Sequence, residues 1–139
     1  MSTRARTVRR MDPLRVLVVD DSALVRESLG ECLGMAPDLQ VIGDAANGRE
    51  ALRLAEQLRP DVLVLDNSMP ELSGLEVTRA LTRSHPEIAI VLYTTDGACG
   101  PSALAAGAAA VLTKDEPITT LVDSIRSVPK LREQRALAY

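Results

Sequence analysis

The architecture of this chain is decided by the segment Val16-Leu17-Val18-Val19-Asp20-Asp21, in which four apolar residues are followed at once by two acids. Three similar apolar runs lie at residues 62–65, 88–92 and 109–112, and a weaker one lies at 39–42. Short runs rich in Val, Leu and Ile are typical of strands buried on both faces, as in a parallel sheet. The sequence therefore predicts five strands, of which the one at 39–42 is an outer strand.

Segments with the period of an amphipathic helix separate the predicted strands. Two of them begin with a polar N-cap residue followed three positions later by Glu, at Asn47–Glu50 and Ser73–Glu76, which is a signature of a helix start. The first helix is predicted to begin after Ser22 and to stop near Pro37. One face of that helix carries the apolar residues Val25, Leu29, Cys32 and Leu33.

The last two helices have different compositions. Residues 97–110 are rich in Ala and Gly, with Leu104 as the one large apolar side chain, so we expect a short and weakly packed helix there. The final helix is predicted from Pro117, a favourable first helical residue, to Pro129, which is expected to end it. Strand and helix thus alternate five times, which is typical of an open α/β sheet with right-handed crossovers.

Composition excludes several classes of function. The chain has 139 residues and a formal net charge of −3, from 16 basic and 19 acidic side chains, so its core is not expected to bind nucleic acid directly. It has no Phe or Trp, and therefore lacks the usual platforms for stacking bases or planar cofactors. Two cysteines are too few for a disulfide framework or metal cluster. With no membrane-length apolar run and no visible secretory signal, a cytoplasmic protein is expected.

Two segments lie outside the single predicted domain at residues 14–128. Residues 1–13 contain four arginines and are interpreted as a disordered, solvated arm, with a partner- or nucleic-acid-binding arm as the alternative. Residues 129–139 are expected to form a tail, a linker or an extension of the last helix.

Polar residues follow four of the apolar runs at their carboxyl ends. In chain order these are Asp20-Asp21, Asp66, Thr94-Thr95 and Thr113-Lys114. Ligands of open α/β sheets bind at the edge where the strands end and the winding reverses. The sequence therefore predicts one cluster of three carboxylates, a hydroxyl and an ammonium.

The chemistry of such a cluster points to phosphate. Several carboxylates held together repel one another, and burial adds to the cost. A hard divalent cation relieves this repulsion, and Mg²⁺ typically takes one or two carboxylates together with water and phosphate oxygens. The compact ammonium of Lys114 suits a phosphoryl oxygen. The pattern indicates a phosphoryl site in which an aspartate is the candidate covalent acceptor.

The same motifs resemble a known family. The segments Val16–Ser22, Val62–Pro70, Tyr93–Thr95 and Gly107–Lys114 are similar, in order and spacing, to those of a response regulator receiver domain. The resemblance covers about residues 14–128 and implies a flavodoxin-like, doubly wound sheet of five parallel strands in the order 2-1-3-4-5 with five helices. The Ala-rich fourth helix and Lys114-Asp115 are also similar to receivers that precede helix-turn-helix DNA-binding domains.

The resemblance implies a role for each residue of the predicted cluster. Asp66 matches the phosphoacceptor of the family, Lys114 its phosphate-contacting lysine, and Thr94 its switch hydroxyl. Mg²⁺ is implied as the cofactor, held by three side chains and one backbone carbonyl, namely Asp20, Asp21, Asp66 and the carbonyl of Ser68.

The resemblance also implies partners. A sensor histidine kinase, or a small phosphodonor, would supply the phosphoryl group. The domain would be a signalling module that catalyses its own phosphorylation and dephosphorylation, and not an enzyme acting on a separate substrate. Homodimerisation, protein contacts and, if the chain is part of a longer regulator, a DNA-binding effector domain remain open as outputs.

Two positions depart from the pattern of the family, and a third residue, His85, is assigned to the surface. Val111 stands where many receivers carry an aromatic ring, so a ring-flip relay through that position is not expected. Asp115 replaces a proline that often follows a cis bond, which predicts a trans bond after Lys114. His85, which precedes a proline, is predicted to lie on the surface.

Other functions fit part of the pattern. A receiver-like module could signal by constitutive protein contact, without phosphorylation. An aspartate-nucleophile phosphatase also places Asp after an apolar strand, but usually requires a second acid where this chain has Ser68. A flavodoxin-like electron carrier is disfavoured because the acidic Asp20-Asp21-Ser22 would repel a flavin phosphate.

Overall fold

The structure, a computed structural model, describes residues 12–137, with the side-chain surroundings of residues 12–128. Most of the arginine-rich arm predicted at residues 1–13 lies outside the described residues. Within residues 12–137, no helix is both long enough and apolar enough to cross a bilayer.

Five strands form one parallel sheet in the order β2-β1-β3-β4-β5. The strands are β1 (Leu14–Val19), β2 (Leu39–Ala45), β3 (Val62–Leu65), β4 (Ala89–Thr94) and β5 (Ala110–Thr113). The helices between and after them are α1 (Ala23–Gly34), α2 (Gly48–Leu58), α3 (Gly74–Ser84), α4 (Gly100–Ala106) and α5 (Ile118–Leu137). A 3₁₀ turn at Gly97–Cys99 precedes α4. The predicted fold class, strand number and strand order are confirmed.

Alternate residues of the central strands face two separate cores, as expected from the period of a β-strand. Leu17 and Val19 of β1 face a core completed by α2, α3 and α4. Val16 and Val18 face the other core, completed by α1 and α5. All four side chains are essentially inaccessible to solvent. Burial on both faces explains why the strands are continuous apolar runs.

Three of the predicted helix starts are confirmed in detail, whereas α5 begins at Ile118, one residue after the predicted Pro117. The side chain of Ser22 accepts a hydrogen bond from the backbone of Val25, and that of Asn47 accepts one from Glu50. Ser73 and Glu76 form a reciprocal capping box at the start of α3. These caps fix where each chain segment leaves the carboxyl edge of the sheet and enters its helix.

The predicted end of the last helix is wrong. Pro129 was expected to end it, but α5 continues through this residue to Leu137. A proline removes one helical hydrogen bond, while residues 130–137 are mostly strong helix formers that sustain the helix on the far side. Of the three possibilities for residues 129–139, the structure shows a helix extension over 129–137.

Two single-residue predictions are also wrong. His85 is buried rather than on the surface, and burial is tolerated because both ring nitrogens have polar partners: Nε2 lies 2.9 Å from Glu56 Oε2 of α2 and Nδ1 lies 2.9 Å from Ser84 Oγ. Cys32 is exposed although it was placed on the apolar face of α1, because Leu29 and Leu33 occupy the centre of that face.

Strand β2 contains an irregularity that changes its facing residues. Val16 pairs with Val41, but Leu17 pairs with Gly43, so one extra residue of β2 is accommodated between them. Such a bulge reverses the face on which the later side chains of the strand lie. Asp44 consequently pairs with Val18 and lies on the face covered by α1.

The loop between β3 and α3 depends on a glycine. A Cβ atom on Gly74 would lie 2.5 Å from the carbonyl oxygen of Asp66 and 2.7 Å from the Cα of Asn67. Both of these are backbone atoms that cannot move without displacing the end of β3. By contrast, a Cβ atom on Gly30 of α1 would meet nothing within 4 Å.

We expect Gly74→Ala to lower the free energy of unfolding by about 1–3 kcal/mol, since it forces the backbone apart in a packed region. Gly30→Ala is the matched control, and should raise it by up to about 1 kcal/mol because alanine favours the helix. Urea unfolding followed by circular dichroism measures both. A Gly74→Ala variant as stable as the wild type would contradict the role given to this glycine.

Candidate functional site

The ends of the strands bring the predicted side chains to one edge of the sheet. Three residues that directly follow a strand are still held by the neighbouring strand through their backbone N–H groups. Asp20 donates to Ala45 (3.1 Å), Asp66 donates to Val19 (3.0 Å) and Lys114 donates to Thr94 (2.9 Å). The side chains that follow the strands therefore start from defined backbone positions.

Three carboxylates meet at this edge. Asp20, Asp21 and Asp66 each offer an oxygen, and these oxygens lie within 4.8 Å of one another. Asp20 and Asp66 are buried, with 2% and 5% of their surfaces exposed, whereas Asp21 is exposed. This is the cluster that the sequence predicted, with one face open to solvent.

Lys114 neutralises part of this charge. Its Nζ lies 2.7 Å from Asp20 Oδ2 and 3.6 Å from Asp66 Oδ2. Burial alone would lower the pKa of Lys114, but the hydrogen bond to Asp20 and the charges of both aspartates outweigh it, so the pKa is raised. The ammonium is therefore held in its charged form between two carboxylates.

Asp66 is the carboxylate whose ionisation is disfavoured. Burial raises the pKa of Asp66, and the negative charge of Asp20 adds to this effect. The Lys114 ammonium and hydrogen bonds from Ser68 and Thr94 act in the opposite direction without cancelling the rise. A buried, partly uncompensated carboxylate is a common feature of functional sites.

Each buried carboxylate also accepts a backbone hydrogen bond. Ser22 N donates to Asp20 Oδ1 at 2.9 Å, and Ser68 N donates to Asp66 Oδ1 at 3.3 Å. These bonds orient both carboxylates and bring the backbone of Ser68 next to Asp66. Thr94 is completely buried at the end of β4.

The donor set fits a hard divalent cation. It consists of oxygen ligands, it carries more negative than positive charge, and one of its carboxylates is open to solvent. Mg²⁺ prefers oxygen ligands and keeps several waters, which an open face allows. Asp20, Asp21 and Asp66, with the nearby backbone of Ser68, are the residues that could hold it.

Not every residue of the predicted motifs joins the cluster. Thr95 is exposed beyond β4, and the hydroxyl of Thr113 donates to the carboxylate of Asp115 instead. The bond between Lys114 and Asp115 is trans, as expected. Tyr93 lies in the core on the α1 and α5 side.

Sequence reasoning missed two residues that support the site. Asn67 accepts hydrogen bonds from Leu75 N on its side chain and from Gly74 N on its backbone carbonyl, and so closes the loop after Asp66. Arg26 donates from Nη1 to the backbone carbonyl of Asp20 at 2.8 Å. Asn67 adjoins Asp66 in the sequence and was a visible candidate, but Arg26 carries no local signal.

Comparison with known proteins identifies the family. The family model for the response regulator receiver domain matches residues 16–126. The chain is 41% identical over 134 residues to the response regulator GacA of Pseudomonas viridiflava, a match that covers 89% of this chain and 63% of that protein. The chain thus spans less than two thirds of the length of this curated relative.

Comparison with solved structures points to the same family as the comparison of sequences. The receiver domain of the response regulator NarL from Mycobacterium tuberculosis superposes with a TM-score of 0.75 at 32% identity, covering 88% of this chain and 98% of that one. A LuxR-family response regulator from Aurantimonas sp. SI85-9A1 gives a TM-score of 0.80 at 30% identity, covering 84% and 85%. This chain belongs to the response regulator receiver family of two-component systems.

Proposed function

We propose that this receiver domain accepts a phosphoryl group on Asp66, with Mg²⁺ held by Asp20, Asp21, Asp66 and the backbone carbonyl of Ser68. The donor is a sensor histidine kinase or a small acyl phosphate. The observation that carries the proposal is the buried Asp66 carboxylate, which lies beside two further acids and 3.6 Å from the Lys114 ammonium. Lys114 and Thr94 are assigned to the phosphoryl oxygens.

The proposed transfer is a direct displacement at phosphorus. One carboxylate oxygen of Asp66 forms a bond to phosphorus, while the bond to the donor breaks and its electron pair leaves with the donor. Mg²⁺, when bound, offsets the negative charge of the transferred group. Lys114 supplies a fixed positive charge, and Thr94 can donate a hydrogen bond from its hydroxyl.

Phosphorylation would change which groups Lys114 and Thr94 contact. An aspartyl phosphate brings extra negative charge and three strong acceptor oxygens, which favour moving the ammonium of Lys114 away from Asp20. The face formed by α4, β5 and α5 is then the output surface, for a second copy of the domain or an attached effector. Helix α4 is the candidate moving element because it has seven residues and its Leu104 is half exposed.

We expect wild-type protein incubated with acetyl phosphate and Mg²⁺ to gain the mass of one phosphoryl group, measured by intact-protein mass spectrometry. Asp66→Asn should gain none, because the amide cannot form the acyl phosphate. Asp123→Asn, which changes an exposed aspartate on α5, is the matched control and should behave like wild type.

Two outcomes would contradict this assignment. Phosphorylation of Asp66→Asn to the wild-type extent would place the acceptor elsewhere. Absence of any mass gain in the wild type, together with no binding of beryllium fluoride and Mg²⁺, would favour a module that signals by constitutive contact.

We expect Lys114→Gln to slow phosphorylation at saturating Mg²⁺ by roughly 10²–10³-fold, as for the loss of one preorganised charge-stabilising group. The same variant should bind the divalent cation more tightly, because an ammonium that occupies Asp20 Oδ2 has been removed. Lys114→Arg keeps the charge and is expected to retain the wild-type metal affinity with an intermediate rate.

Rates come from mass spectrometry and metal affinity from titration calorimetry. If Lys114→Gln binds the cation more weakly than wild type, the lysine organises the carboxylates rather than competing with the ion, and its assigned role is wrong.

We expect beryllium fluoride with Mg²⁺ to change amide hydrogen exchange within residues 97–114 more than within α2, since α2 is anchored by the buried Ala51 and Ala55. Exchange mass spectrometry of the free and loaded protein measures this. Changes confined to the loops around Asp66 would contradict the assignment of α4 as the moving element.

A further inference from the structure

The side chain of Arg26 lies between Asp20 of the site and Asp44 of the outer strand β2. Its Nη1 donates to the backbone carbonyl of Asp20 at 2.8 Å, and its Nε lies 3.2 Å from Asp44 Oδ1. Only 18% of the Arg26 side chain is exposed, whereas the Asp44 side chain is 61% exposed. A guanidinium whose fixed donors engage two acceptors at once is more restricted than a surface ion pair.

The bulge in β2 is what makes this contact available. With uninterrupted pairing, Asp44 would lie opposite Val19, whose side chain faces the core formed with α2, α3 and α4. Because one extra residue is accommodated after Val41, Asp44 lies opposite Val18 and on the face of α1, where Arg26 is located. The bulge in the outer strand β2 thus allows Asp44 to contact Arg26 beside the site.

Asp20 is restrained at every polar group by these neighbours. Its backbone N–H donates to Ala45 and its carbonyl accepts from Arg26. Its Oδ1 accepts from Ser22 N and its Oδ2 from Lys114. The carbonyl contact fixes the peptide unit that joins Asp20 to Asp21, and therefore the direction in which the next residue leaves the strand.

We propose that Arg26, anchored by Asp44, is a positioning residue that fixes the Asp20–Asp21 peptide and thereby sets the divalent-cation affinity of the acidic cluster. The identity of the ion as Mg²⁺, and its use in phosphoryl transfer, rest on the function proposed above. The contact itself does not depend on them.

A positioning role and a purely electrostatic role predict opposite results. Arg26 adds a positive charge near the cluster, so its charge alone disfavours a cation, and removing it would tighten binding. If Arg26 positions the carboxylates, removing it weakens binding despite that loss of charge. The sign of the change therefore separates the two roles.

The experiment measures metal affinity directly, by electron paramagnetic resonance of free Mn²⁺ and by its displacement with Mg²⁺. We expect Arg26→Gln to weaken binding roughly 10-fold, as for other outer groups that orient metal ligands. Arg26→Lys should recover part of the affinity. Asp44→Asn should have a smaller effect, and the double variant Arg26→Gln/Asp44→Asn should be no weaker than Arg26→Gln alone.

Arg126 provides a matched control. It forms a similar ion pair with Asp38, with Nε 2.7 Å from Asp38 Oδ2, but Asp38 lies just before β2 while Asp44 lies near its end. Arg126→Gln therefore removes an arginine–aspartate pair at the amino-terminal end of β2, whereas the site lies at the carboxyl ends of the strands. We expect it to leave metal affinity unchanged.

A second readout needs no metal. In the ion-free protein, amide hydrogen exchange of Asp21 and Ser22 should be faster in Arg26→Gln than in Arg126→Gln. With acetyl phosphate as donor, the half-saturating Mg²⁺ concentration should rise about as much as the affinity falls. The maximal rate at saturating Mg²⁺ should stay close to that of the wild type.

Unchanged or tighter metal binding in Arg26→Gln would overturn the inference, as would an equal loss in Arg126→Gln. The positioning role of Arg26 and the phosphorylation of Asp66 can be refuted independently of each other. If the wild type is phosphorylated but Arg26→Gln binds metal normally, only this inference is wrong. If metal binding depends on Arg26 but Asp66 is never phosphorylated, only the proposed function is wrong.

Discussion

The buried pairing of Lys114 with Asp20 and Asp66 is the interaction on which the site depends. Two carboxylates with 2% and 5% exposure directly follow adjacent strands, and bringing them together without a cation would be strongly unfavourable. The compensating ammonium comes from the end of β5, with β4 and β3 between it and β1 in the sheet. The contact can therefore form only when the sheet is assembled in this order, so one ion pair links the fold to the chemistry.

The sequence predicts the local part of this arrangement well. Asp20, Asp66 and Lys114 each follow an apolar run directly, so their place at a strand end is visible from neighbouring residues alone. The strand order depended on the resemblance to receiver domains. The contacts that were missed are non-local: a one-residue bulge brings Asp44 to Arg26, and the buried His85 contacts Glu56 of α2. Neither a bulge nor a helix neighbour has a signal within a short window of sequence.

The two ends of the site are built with different rigidity. Around Asp66, Gly74 lies against the backbone and Asn67 bonds both Gly74 and Leu75, so the loop after β3 has little freedom. Beyond Thr94, the chain passes through exposed residues into the short helix α4, whose buried contact is the small Ala103. Few buried apolar contacts mean a low cost of local rearrangement. Asp66, the proposed acceptor, is thus held firmly, while the segment after Thr94, the proposed switch hydroxyl, has few contacts that resist rearrangement.

Charge balance connects these parts. Three carboxylates against one ammonium leave the cluster with a formal charge of two minus, which a single divalent cation cancels. On the proposed mechanism, the loaded site therefore starts near neutrality, and phosphorylation of Asp66 adds negative charge that it did not hold before. The ammonium of Lys114 lies closest to Asp20 and is near enough to Asp66 to move toward the added negative charge and partly neutralise it. Lys114 directly follows β5, its backbone N–H donates to Thr94 at the end of β4, and the chain then turns into α5. A displacement of Lys114 would therefore act on these three elements. The lysine that stabilises the unphosphorylated cluster is thus also the group best placed to transmit a change of charge at Asp66 to the neighbouring strands and helix.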